Sequence, residues 1–172
     1  MALQVPRSLP QQRTRALWQT PPSACFKINF NGATFVAENK FGIEVVIQDS
    51  QCMVIASLSQ LLPHEFQAVE IEALAATRAL EFALELGITH VVLEGDSKVV
   101  MDALAEGDVS LSSYGLLIAN AKSVSHDFFQ LLYSHVKREC TKVTHSLARH
   151  AIIVSSFIVW IESVSPQVAF VY

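Results

Sequence analysis

The spacing of apolar residues changes once, early in the chain, and that change limits what it can fold into. In "CFKINFNGATF" and "GIEVVIQ" apolar side chains recur at every second position: Phe26, Ile28 and Phe30, then Ile43, Val45 and Ile47. "CMVIASLS" follows as a short apolar run. A period of two belongs to a strand, whose side chains alternate between faces. The connections "AENK" and "QDSQ" are short and polar, so the three runs predict an antiparallel meander. From about Glu65 to Leu86 the pattern becomes that of a long, alanine-rich helix, stopped by Gly87.

The remainder alternates. "HVVLEGD" reads as a buried strand and "SKVVMDALAEG" as a helix ended by Gly107. A further helix is expected from Tyr114 to Ser123, and "FFQLLYSHV" is a fifth strand. "TKVTHSLARHAIIV" is a last helix, with Val143, Leu147 and Ala151 on one face. The order βββ-α-β-α-α-β-α predicts an α/β fold: a five-stranded mixed sheet, its first three strands antiparallel, with helices packed on it. Residues 1–24 carry four prolines and little periodicity, and read as a linker or arm. The domain is expected over 25–155, with 156–172 a C-terminal tail packed on it.

Composition narrows the function classes. At 172 residues and 51% hydrophobic the chain can bury one full core. A net charge of -4 gives no general attraction to nucleic acid. The charge is uneven, however. No Asp or Glu precedes Glu38, while Arg7, Arg13, Arg15 and Lys27 do, and Lys137, Arg138, Lys142 and Arg149 form a second basic stretch. The cysteines, Cys25, Cys52 and Cys140, are odd in number and make no C-x-x-C, which argues against a disulfide framework or a cysteine zinc site. A reducing intracellular compartment, nucleus or cytoplasm, fits best. No membrane association is expected: the longest apolar candidate, "AIIVSSFIVWI" at 151–161, is too short to span and contains two serines.

Four positions could carry chemistry. Asn31-Gly32 ends an alternating run; the pair is either a tight turn or the edge of a site that would want a charge at Asn31. Glu72 shares a helix face with Ala75, Ala76, Ala79 and Ala83, a stripe that lets a helix approach a sheet closely. It either turns inward, where a carboxylate needs a partner or a metal, or faces sideways near the helix start. Glu70 lies on a different face. Asp96 ends a strand and precedes a helix, so it is either an N-cap or a carboxylate at the sheet's C-terminal edge. His145 lies in the first turn of the last helix and by itself says nothing. Serine and cysteine nucleophile motifs, a phosphate loop and H-E-x-x-H are absent.

Taken in order, "NFNGA", "EIEALAATRALEFALELG", "VVLEGDS" and "HVKRECTKVTHSLARHA" resemble the ribonuclease H-like domain of the plant reverse-transcriptase-like type. "WQTPP" and "FIVWIESVSP" resemble that family's lead-in and closing motifs, so the likeness runs from about Trp18 to the end. It implies a nucleic-acid partner, an RNA–DNA hybrid, and a hybrid-cleaving endonuclease as the family activity. It also implies four carboxylates holding two Mg²⁺ ions, with Mn²⁺ as the alternative cofactor and no small-molecule cofactor. By position those carboxylates fall on Asn31, Glu72, Asp96 and His145. Two of them are therefore replaced here, and Thr141 and Thr144 stand where the family has Asn and Ala. Glu72 and Asp96 are left as the metal-binding carboxylates. A neutral amide is a weak ligand for Mg²⁺, and an imidazole suits softer ions. The resemblance thus implies an impaired enzyme, or a catalytically inactive nucleic-acid-binding or protein-interaction module derived from a retroelement.

Overall fold

The computed structural model describes residues 25–35, 39–63, 65–106, 113–137 and 157–162. The expected arm, the expected last helix with His145, Thr141 and Thr144, and Cys140 lie outside them. Strands β1 (Phe26–Phe35), β2 (Lys40–Gln48) and β3 (Val54–Leu62) form the expected antiparallel meander. The β2–β3 connection is held by Asp49, whose Oδ1 accepts from the backbone N–H of Gln51 (2.8 Å) and Met53 (2.9 Å). Helix α1 (Ala68–Glu85) follows, then β4 (His90–Gly95), α2 (Lys98–Ala105), α3 (Ser113–Ser125) and β5 (Gln130–His135). β4 pairs in parallel with β1, and β5 in parallel with β4.

One expectation is corrected. Among the described residues the sheet has six strands rather than five, in the order β5-β4-β1-β2-β3-β6. The sixth, β6 (Phe157–Ile161), comes from the segment expected to be tail and pairs antiparallel with β3. "FIVWI" sets Phe157, Val159 and Ile161 on the face that β3 lines with Gln60, Leu58 and Ala56, so pairing covers the edge β3 would otherwise expose.

The core lies between one sheet face and the helices. Ile28, Phe30, Val45, Ile47, Leu58 and Leu93 pack there against Ala75, Ala76, Ala79 and Ala83 of α1. The alanine face is therefore the buried one, as its spacing predicts. Helix α1 begins where Glu70 Oε2 accepts the Gln67 N–H (2.9 Å), which gives the off-face Glu70 a capping role. It ends with Gly87 at φ 74. There the Ile88 N–H reaches Ala83 O and the Gly87 N–H reaches Leu84 O, both at 2.9 Å, a Schellman closure. Among the described residues no helix is long and apolar enough to cross a membrane.

Candidate functional site

Asn31-Gly32 is not a turn. β1 runs straight through it, from Phe26 to Phe35. The glycine answers to α1 instead. A Cβ at Gly32 would lie 2.6 Å from Ile71 Cγ2 and 3.0 Å from the Glu72 backbone N. The helix thus crosses directly over this point of the strand, at a distance only a residue without a side chain allows. The same crossing delivers Glu72. Its Oε1 accepts the Gly32 N–H at 3.2 Å, and only 9% of the residue is exposed. Glu72 is inward, as the alanine stripe implies.

β4 brings the third position. Its parallel ladder with β1 ends at Asn29 opposite Glu94. Asp96 directly follows β4, at that strand's C-terminal end, while Asn31 lies two residues further along β1 than the last paired position. Asp96 is not the cap of α2. Ser97 takes that place, its Oγ accepting the Val100 N–H at 3.4 Å. His135, at the end of β5, is hydrogen-bonded through Nε2 to the Asp96 carbonyl (3.2 Å), and the Val136 N–H donates to Gly95 O (3.0 Å). These contacts tie the turn carrying Asp96 to the sheet. The structure brings Glu72 onto β1 at Asn31-Gly32 and sets Asp96 just past the end of the neighbouring strand β4; His145 lies outside the described residues.

The sheet face away from α1 is polar and buried. Lys27 Nζ lies 3.3 Å from Glu94 Oε2, with 2% and 4% of their side chains exposed. Ser134 Oγ donates to the same oxygen at 3.5 Å. Opposite Asn31 in the β1–β2 register stands Glu44, fully buried, and opposite Glu44 stands Ser59, whose Oγ donates to Glu44 Oε1 at 2.6 Å. Burial pushes the Glu44 carboxyl up to about 9, against a smaller lowering by Ser59, so it is neutral at physiological pH. The sequence argument missed Glu44, although a signal existed. Glu44 sits between Ile43 and Val45, so alternation puts it on the polar face that also carries Asn31.

Among the described residues, the donors near Asn31 do not match two magnesium ions. Asn31 is itself an amide; Glu72 meets the next residue, Gly32, and Asp96 follows the neighbouring strand β4. Among the described residues no group of three or more His, Cys, Asp or Glu side chains could hold a metal. Two Mg²⁺ ions demand more negative oxygen ligands than this set offers.

A meander, an overlying helix and two parallel strands, with polar residues gathered where β1 and β4 end, define an α/β domain of ribonuclease H-like fold. Residues 29–151 match the Reverse transcriptase-like family, and the chain belongs to it. The fold is shared with RNase H1 from the halophilic archaeon Halobacterium salinarum NRC-1 (TM-score 0.68, 20% identity, 74% of this chain and 97% of that one). It is shared equally with the N-terminal RNase H domain of a Mycobacterium tuberculosis protein (TM-score 0.67, 21% identity, 76% and 95%). A third similar structure is LC11-RNase H1, which was isolated from compost and solved in complex with an RNA/DNA hybrid. Its TM-score is 0.65 at 22% identity, over 74% of this chain and 96% of that one. Among curated protein sequences none matches this chain significantly.

Proposed function

We propose that this chain is a nucleic-acid-binding domain whose site, at Asn31, Glu72, Asp96 and His145, descends from a hybrid-cleaving one and has lost most of its catalytic power. The supporting observation is the meeting of Glu72 with the Gly32 N–H directly beside Asn31, on the strand that neighbours β4 and the Asp96 that follows it. That placement is the one the family resemblance assigns to the metal carboxylates. The amide at Asn31 is what argues against full activity. Glu72 and Asp96 are the carboxylates open to a divalent cation, Mg²⁺ or Mn²⁺, and at most one weak site is expected. The domain is taken as 25–155, with an N-terminal arm and with 156–172 packed on it through β6, and its origin as a retroelement protein.

The partner is an RNA–DNA hybrid, recognised through backbone and 2′-OH contacts that need no metal. Fluorescence anisotropy with a labelled hybrid, across a salt series, tests this. Affinity should fall with salt by a log–log slope of about 0.7–0.9 per phosphate contacted. Incubating the same hybrid with Mg²⁺ and with Mn²⁺ should give little or no cleavage. No binding at low salt would favour the protein-interaction alternative, to which the net charge of -4 lends support. Rapid cleavage would mean that the replaced carboxylates were dispensable.

A further inference from the structure

The polar row beneath the candidate site has its own logic. On the sheet face away from α1, Asn31, Glu44 and Ser59 stand side by side on β1, β2 and β3. Their exposures are 1%, 0% and 0%. Ser59 satisfies Glu44 Oε1. Glu44 Oε2 is equally buried and has no hydrogen-bond partner among the described residues. Lys27, a cation on this face, pairs with Glu94. An unpaired carboxylate in such a place would be very costly, whereas a carboxylic acid has an O–H to give. Directly opposed residues on one face of an antiparallel pair have Cβ atoms about 4.5–5.5 Å apart, within reach of a glutamic acid. The residue opposite is Asn31, whose amide oxygen can accept.

We propose that Glu44 and Asn31 form one acid–amide pair, Glu44 Oε2–H donating to Asn31 Oδ1, and that Glu44 thereby determines which side chain position 31 accepts. An amide at 31 completes a neutral row. A carboxylate at 31 would stand beside a second carboxyl group in a buried place, where two such groups do not readily both ionise. Moving the amide to position 44 would restore one acid and one amide. Glu44 is then the specificity determinant of the site's charge. The pairing rests on the placement of the site at Asn31 but on no binding by it, so it stands or falls separately from hybrid recognition.

The test is an exchange across the pair. Unfolding by urea at pH 7.5 is compared for the unmodified chain, Asn31→Asp, Glu44→Gln and Asn31→Asp/Glu44→Gln. Asn31→Asp should raise the unfolded-to-folded ratio at least roughly tenfold more with Glu44 present than in the Glu44→Gln background, a coupling of the size contacting residues show. Side-chain amide NMR gives a second measure that needs no destabilised variant: Glu44→Gln should shift the Asn31 Nδ2–H₂ resonances. Should Asn31→Asp cost the same in both backgrounds, the pairing is wrong; so too if the exchanged chain is as unstable as Asn31→Asp alone. Unmoved Asn31 resonances would also overturn it.

Discussion

At the residue scale, two glycines and one buried acid carry separable costs. Gly32→Ala puts a methyl group 2.6 Å from Ile71 Cγ2 and against α1 backbone, so the cost is steric, about 1–3 kcal/mol. Gly87→Ala meets nothing within 4 Å, but its φ of 74 is unfavourable for a side chain, so it should cost about 1–2 kcal/mol through the backbone alone. Urea midpoints of the two variants check both, and only Gly32→Ala should also displace Glu72 from the Gly32 N–H. Glu44 makes stability depend on pH. Its carboxyl is raised from 4.5 to about 9 on folding, so between these values the folded chain keeps a proton the unfolded chain has lost. Its contribution is fully present below about pH 4.5 and disappears as pH rises through about 9, by up to about 1.4 kcal/mol per pH unit. Stability measured at pH 5, 7 and 8.5 should fall along that series, and Glu44→Gln should flatten the decline.

At the scale of elements, the helix termini and the sheet edges decide what the site can be. Ser97 caps α2, which releases Asp96 from that duty. Ser97→Ala should cost roughly 0.5–1 kcal/mol, the lower part of the range for a lost cap because the bond is long. Thermal unfolding measures it. If instead Ser97→Ala were neutral and Asp96→Ala cost a full cap, Asp96 would be structural after all. At the other end of the sheet, Arg78 lies 5.8 Å from the Phe82 ring centroid and 5.6 Å from that of Phe157. It also pairs with Glu85 at 2.8 Å. This guanidinium joins α1 to β6, the strand that closes the β3 edge.

For the whole molecule, the question is whether the scaffold still supports the hybrid cleavage proposed as its ancestral activity. The sheet, the alanine-faced helix and the Glu72–Gly32 contact are in place. Asn31→Asp/His145→Asp should therefore raise Mg²⁺-dependent hybrid cleavage at least about a hundredfold over the unmodified chain, the effect of one regained electrostatic contact. Each single change should do less, since both ions must be held together. The comparison is one hybrid, four proteins, identical metal and salt. Equal rates for the unmodified chain and the double variant would sink the idea of a decayed site. Adding Glu44→Gln should increase the gain further, because position 31 then no longer adjoins a second carboxyl group.

The sequence by itself determined the order of elements from β1 to β5 and their faces. These depend on local periodicity: alternation in "KINFN" and in "GIEVV", and the three-and-four spacing of alanines along α1. What it left open at Asn31-Gly32, at Glu72 and at Asp96 were local alternatives: a turn or a site edge, inward or sideways, a cap or a carboxylate. Only tertiary structure decided between them. A helix crossing at Ile71 explains Gly32, and the neighbouring Ser97 takes the cap. The sixth strand and the Asn31–Glu44 pair were equally out of reach, because strand register joins residues distant in the chain. A slip of one residue would have exchanged the two faces of β2 and put Glu44 into the apolar core.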